Sequence, residues 1–102
     1  MSSNRDKLFD ILFTKSFIYR EDPPFTLVSG RQSFYYFDCK ATTLDAEGVS
    51  LIGEVMYDAI EPFIGPLAID GIGGLTLGAD PISISTAIAA SRKGRKISPL
   101  IV

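Results

Sequence analysis

The sequence predicts an α/β fold, a parallel sheet with flanking helices, preceded by a small antiparallel segment. Three observations carry this. A stripe of apolar residues recurs at helical spacing after Asp45, short apolar runs flank a glycine-rich stretch, and the order helix, strand, helix, strand beyond Ala41 implies parallel crossovers. The prediction divides the chain into 1–40, a first helix and short strands, and 41–102, the start of an α/β core.

Residues 4–16 set Leu8, Phe9, Ile11, Leu12 and Phe13 among charges, with Ser2, Ser3 or Asn4 able to accept at the N-cap, so an amphipathic helix is expected. Phe17, Ile18 and Tyr19 form a β-favouring run that the paired prolines of 20–24 break into a turn. Phe25 to Val28 and Phe34 to Cys39 then read as two strands joined through Gly30, as in a hairpin. Asp45 is a good N-cap, and Glu47 suits the positive end of a helix dipole. The stripe Ile52, Val55, Met56, Ala59, Ile60 and Phe63 faces a core, and Pro62, Gly65 and Pro66 stop the helix. Leu67 to Ile69 reads as a buried strand ending at Asp70, followed by a glycine-rich loop over 71–79. Asp80 and Pro81 open a second core helix that runs to about Lys93. Gly94 is its C-cap, and Ile97 to Val102 is a further buried strand.

With 102 residues there is room for one small core. Hydrophobic residues at 46% and charged residues at 22% exclude a disordered or collagenous chain. No uncharged run approaches the roughly 20 apolar residues that span a bilayer, and Arg5, Asp6, Lys7 and Asp10 interrupt any signal peptide, so a soluble cytoplasmic protein is expected. Cys39 stands alone, which rules out an internal disulfide, and the lack of histidine argues against zinc and Ser-His chemistry. A net charge of -2 argues against nucleic acid as a partner. The distribution of charge is more informative. From Ala41 to Ser91 there is no Lys or Arg, while Asp45, Glu47, Glu54, Asp58, Glu61, Asp70 and Asp80 all fall in that stretch. A phosphate bound there must use backbone N–H groups, a divalent cation, or cationic side chains brought from elsewhere.

Gly71 to Pro81 resembles nucleotide-binding loops only in part. Thr76 stands where a dinucleotide fingerprint needs its third glycine, and Ala79 and Asp80 stand where a P-loop needs Lys and Ser or Thr. What remains is a strand-to-helix loop at the carboxyl end of a parallel strand, where open α/β sheets bind ligands and where adjacent glycines let main-chain amides approach an anion. Asp80 opposes such an anion, because two unit charges 4 Å apart repel by about 4 kcal/mol at an effective dielectric near 20. The alternative is that the glycines serve only tight helix–strand packing. Phe34, Tyr35, Tyr36 and Phe37 alternate faces in a strand, so two could stack on a planar ligand while two enter the core, or all four could fill the core. Arg92, Lys93, Arg95 and Lys96 read as a solvated helix end, and Cys39 as a small buried hydrophobe. The sequence stops within the apolar run Leu100, Ile101 and Val102. Two parallel strands give their helices little to bury against, so the front part of a larger α/β domain is expected, with a complete miniature domain as the alternative.

Phe25 to Ser33, Tyr35 to Asp38, Thr42 to Leu44 with Glu47 and Gly48, and Gly73 to Pro81 together resemble the orotate phosphoribosyltransferases, in that family's order and spacing. The resemblance covers nearly the whole chain and only the front part of the family's domain. It implies a partial type I phosphoribosyltransferase fold with a small N-terminal antiparallel hood. It further implies transfer of ribose 5-phosphate from phosphoribosyl pyrophosphate to orotate, with Mg²⁺, in pyrimidine synthesis, commonly by homodimers. By matching positions, Tyr36 and Phe37 would lie at the orotate site, and Gly73, Gly74, Leu75 and Thr76 would form the pyrophosphate loop, where the family can hold a non-proline cis peptide. The chain departs from the family at Val28 or Gln32, where Lys is frequent, and at Phe34, where Pro is frequent. The resemblance places the basic catalytic loop and the acidic phosphoribosyl pyrophosphate motif beyond Val102. The 102 residues alone are therefore expected to carry no catalytic residue, no metal ligand and no turnover. A non-catalytic ligand-binding regulator of the same fold is the alternative, and a scaffold using the aromatic strand as an interface is a third.

Overall fold

The computed structural model describes residues 3–101. Helix α1, Asn4–Ile11, is capped by Ser3, whose Oγ accepts from the Asp6 amide at 3.1 Å, and continues as a π-helical turn through Leu12–Ser16. Strand β1, Phe17–Tyr19, follows, then β2, Phe25–Thr26, β3, Gln32–Ser33, and β4, Tyr35–Phe37. The hairpin expected between 25–28 and 34–39 is instead β2 with β3, closed by Gly30 at φ +87. The aromatic strand β4 pairs antiparallel with β1, in the register Phe17 to Phe37 and Tyr19 to Tyr35. Aromatic residues suit a pleated surface wherever they find a partner, so propensity alone did not choose between the two pairings.

A short helix α2, Lys40–Thr43, which sequence periodicity does not show, leads into α3, Ala46–Ile64. Asp45 caps α3 as expected, its Oδ2 accepting from the Gly48 amide at 2.8 Å. Pro62 does not end the helix; the chain turns only after Ile64. The buried face of α3 is Ile52, Gly53, Tyr57 and Ile64, whereas Met56 and Phe63 of the expected stripe are exposed. The strand expected at 67–69 is a turn, with Ala68 at φ +49 and the Ile69 amide donating to Ile64 O at 3.0 Å. Strand β5 lies further on, at Gly71–Gly74, and pairs parallel with β6, Ser98–Ile101. Glycines make this strand invisible to a hydrophobic pattern and also make it possible. A Cβ on Gly73 would stand 2.8 Å from Leu100 O.

Helix α4, Asp80–Arg92, carries Pro81 in its first turn and ends at Gly94, φ +79. It packs on α3 and on the β5–β6 pair, and its Ser83, Thr86, Ala87, Ala89 and Ala90 are buried. The core gathers Tyr57, Ile64, Ala89, Ala90 and Ile97, with Ile60, Ile69 and Ile72 against it. The basic end of α4 is tied down rather than merely solvated, with Lys93 Nζ 3.0 Å from Glu54 Oε2 and Arg95 3.8 Å from Glu61. Cys39 is exposed, not buried as expected. Among the described residues no helix is long and apolar enough to cross a membrane.

Lys15 Nζ lies 2.5 Å from Asp45 Oδ1, joining the first helical segment to the start of α3. The Lys15 hydrogen bond above all, and the Gly48 amide second, hold the Asp45 carboxyl below its ordinary value of 3.8. A carboxyl lowered in the folded state stabilises fully above its unfolded pKa, and the contribution is lost as the pH falls through the folded one. Urea midpoints should therefore decline more between pH 5 and pH 2 in the wild type than in D45N. Parallel declines would remove Asp45 from the account.

Candidate functional site

The carboxyl end of β5 opens directly into the loop that feeds α4. Gly73 and Gly74 are still strand, paired with Leu100 and Ile101, and the loop proper begins at Leu75. The peptide between Thr76 and Leu77 is cis, beside the loop positions to which the resemblance assigns such a bond. Three hydrogen bonds close the loop: the Ala79 amide donates to Leu75 O at 2.9 Å, the Asp80 amide to Leu77 O at 3.2 Å, and Thr76 Oγ1 to Asp80 Oδ2 at 2.5 Å. Asp80 is thus a member of the first turn of α4 and a tie across the loop, not the N-cap. That position is Ala79, which makes no side-chain cap. The amides of Thr76, Leu77 and Gly78 donate to no acceptor among the described residues. Asp80 Oδ1 is buried and has no hydrogen-bond partner among the described residues.

A cavity of about 360 Å³ lies beside this loop, lined by Leu77, Gly78, Asp80, Pro81 and Ile84 on one side and by Lys40, Thr43 and Leu44 on the other. The α2 wall is held in place from behind. Thr42 is wholly buried and shares a 2.5 Å hydrogen bond with buried Ser16 Oγ, and Gly48 admits Thr42 so closely that a Cβ there would meet Thr42 O at 2.4 Å. Lys40 has no place in the sequence-derived site. A four-residue helix leaves no periodic signal, although Lys40 is the last cation before the base-free stretch, and that signal points to it.

Tyr36 and Phe37 do not line this cavity. As neighbours in β4 they point to opposite faces of the β1–β4 ribbon, and both are about half exposed. Tyr36 stacks on Phe25 at 5.3 Å, and the Arg20 guanidinium lies 4.0 Å from the centre of the Phe25 ring. Phe37 shares the other face with Phe17, Tyr19 and Tyr35, where the rings of Phe13, Phe17, Tyr35 and Tyr19 follow one another at 5.2 to 5.7 Å. All four residues from Phe34 to Phe37 are exposed, so neither expectation that placed them in the core holds.

No protein-family model matches the chain. Its sequence is 39% identical over 101 residues to the orotate phosphoribosyltransferase of Leptospira biflexa, covering 98% of this chain and 53% of that protein. It is 41% identical over 98 residues to that of Aquifex aeolicus, covering 96% and 51% respectively. Among solved structures, orotate phosphoribosyltransferase of Mycobacterium tuberculosis, crystallised with Fe(III) dicitrate, superposes with a TM-score of 0.82 at 31% identity, covering 98% of this chain and 54% of that one. A complex of the same protein with 5-phospho-α-D-ribosyl 1-diphosphate gives 0.78 at 30%, covering 98% and 53%. This chain is a relative of the orotate phosphoribosyltransferases, matching their N-terminal part. It spans about half the length of the family members it matches. The α/β architecture expected from the sequence is that of the family's solved structures over nearly all of the chain. Of the departures from the family pattern, Val28 stands wholly exposed at the tip of the β2–β3 hairpin, Gln32 pairs with Thr26 within it, and Phe34 leads into β4.

Proposed function

We propose that this chain is the front part of one phosphoribosyltransferase domain, with the hood in 1–40 and the start of the core in 41–102, and that the whole protein is an orotate phosphoribosyltransferase. It would transfer ribose 5-phosphate from phosphoribosyl pyrophosphate to orotate, releasing pyrophosphate, as a step of pyrimidine biosynthesis, in the cytoplasm and as a homodimer. The observation that carries this reading is the set of unengaged amides at Thr76, Leu77 and Gly78, set at the carboxyl end of a parallel strand in a stretch without cationic side chains. The solved relative bound to 5-phospho-α-D-ribosyl 1-diphosphate supports it.

In this reading the pyrophosphate loop begins with Gly73, Gly74, Leu75 and Thr76 and presents its amides from Thr76 onward. Tyr36 and Phe37 serve orotate from the hood. Since they face opposite sides of β4, one ring stacks on the base and the other supports the ribbon from behind. Tyr36, beside Phe25 and the Arg20 cation, is the ring suited to a planar anion.

Mg²⁺ belongs to the same proposal, but these residues do not hold it alone. Among the described residues no three metal-ligating side chains cluster, and a single buried carboxylate oxygen, Asp80 Oδ1, is not a coordination set. Mg²⁺ commonly keeps several waters and binds substrate phosphates with one or two carboxylates, so it would arrive with the diphosphate.

The test is a titration of the nitrogen-15-labelled chain with inorganic pyrophosphate, together with orotate titrations followed by tyrosine fluorescence. Saturable shifts confined to the loop amides are expected, as is a saturable fluorescence change that Y36A removes. Orotidine 5'-phosphate formation by the 102 residues alone should be undetectable. Absence of any loop response would overturn the reading.

A further inference from the structure

The loop that is to receive a diphosphate carries a carboxylate of its own. Asp80 offers one oxygen to Thr76, and its other oxygen is buried without a donor beside amides that are free to bind an anion. An anion settling there meets like charge at close range, and no residue from Ala41 to Ser91 is cationic. Three other cations of the fold are already paired: Lys15 with Asp45, Lys93 with Glu54 and Asp58, Arg95 with Glu61.

Lys40 is different. It lines the same cavity as Asp80 and Gly78, is exposed, and enters no ion pair among the described residues. The helix that carries it is fixed by the buried Ser16–Thr42 hydrogen bond, so its stem starts from a defined place. Leu44, Leu77, Pro81 and Ile84 complete the apolar part of the same cavity lining.

We propose that Lys40 is a positioning residue of this site, compensating Asp80 across the cavity so that the amides of Thr76 to Gly78 can take an anion. This rests on the reading of the loop as the diphosphate site.

The test follows those three amides in the labelled chain during titration with inorganic pyrophosphate at fixed ionic strength. K40Q should bind at least about tenfold more weakly than wild type, and K40R within about threefold of it. If Lys40 acts through Asp80, then K40Q/D80N should return to within about threefold of D80N alone. D80N alone should bind more tightly than wild type, a result that needs no substitution at Lys40. K40Q binding like wild type would overturn the inference while leaving the loop reading intact, and so would a double variant no better than K40Q. A wild-type chain with no saturable response would overturn both.

Discussion

Gly53→Ala is expected to cost about 2 kcal/mol of stability, the middle of the range for an overpacked core. The same exchange in an exposed helix interior gains about 1 kcal/mol, so the sign depends on the space available. A Cβ on Gly53 would fall 2.3 Å from Ser85 Oγ and 2.4 Å from the Ser85 backbone oxygen. A rotamer change removes the first contact, although it also gives up the hydrogen bond that Ser85 Oγ donates to Val49 O. Only movement of α4 removes the second. That movement pulls Ala89 and Ala90 away from Tyr57 and Ile64, the cluster on which the core depends. The measurement is a thermal or urea midpoint, with a fall of roughly 10 °C expected at this chain length. Gly65→Ala is the control. Gly65 has φ -66 and nothing within 4 Å of its added Cβ, so its midpoint should hold or rise slightly. A Gly53→Ala midpoint at or above wild type would mean that α3 and α4 do not approach this closely.

The contrast between these two glycines shows what a sequence makes legible. The two long core helices announce themselves through side chains. Asp45 and Glu47 mark the start of α3, Pro81 the start of α4, and Gly94 its end, and each does what its chemistry suggests. Elements whose role is to have no side chain are hidden. Strand β5 is Gly-Ile-Gly-Gly, and it is a strand because Leu100 of β6 comes within reach of Gly73, a tertiary fact that no local pattern contains. The apolar run at 67–69 looks more like a strand, yet it is the turn that lets Ile69 reach the core.

The hood shows the same limit. Phe34 to Phe37 have no polar alternation to fix which face is inside, so their partner strand was open until β1 supplied it. At the candidate site the loop residues were legible from their glycines and from the missing bases around them. Lys40 was not, because its relation to Asp80 is made by α2 and the cavity, forty residues away in the chain.

Gly74→Ala is expected to abolish most pyrophosphate binding while sparing the fold. Its Cβ would lie 2.7 Å from the Cβ of Ala79, and neither atom can rotate away. Gly74 and Ala79 are the two feet of the loop, so the added methyl pushes them apart. The Ala79 amide then loses Leu75 O, the Thr76–Asp80 hydrogen bond lengthens, and the amides of Thr76 to Gly78 turn from the directions those bonds impose. Leu75 and Leu77 are largely exposed, so little buried apolar area is at stake and the midpoint should fall by only about 1 kcal/mol. Binding should weaken at least about tenfold, because preorganised amides are the loop's own contribution to the attraction, the loop having no cationic side chain. Gly73→Ala provides the opposite case. Its Cβ meets the backbone of Leu100 across the parallel pair, so it should cost stability first and binding only as the strand is lost. Loop-amide titrations beside urea midpoints for both variants separate the two effects. A Gly74→Ala chain that binds pyrophosphate as the wild type does would mean that the spacing of the loop's feet is irrelevant to the anion, and that the anion is not seated on these amides.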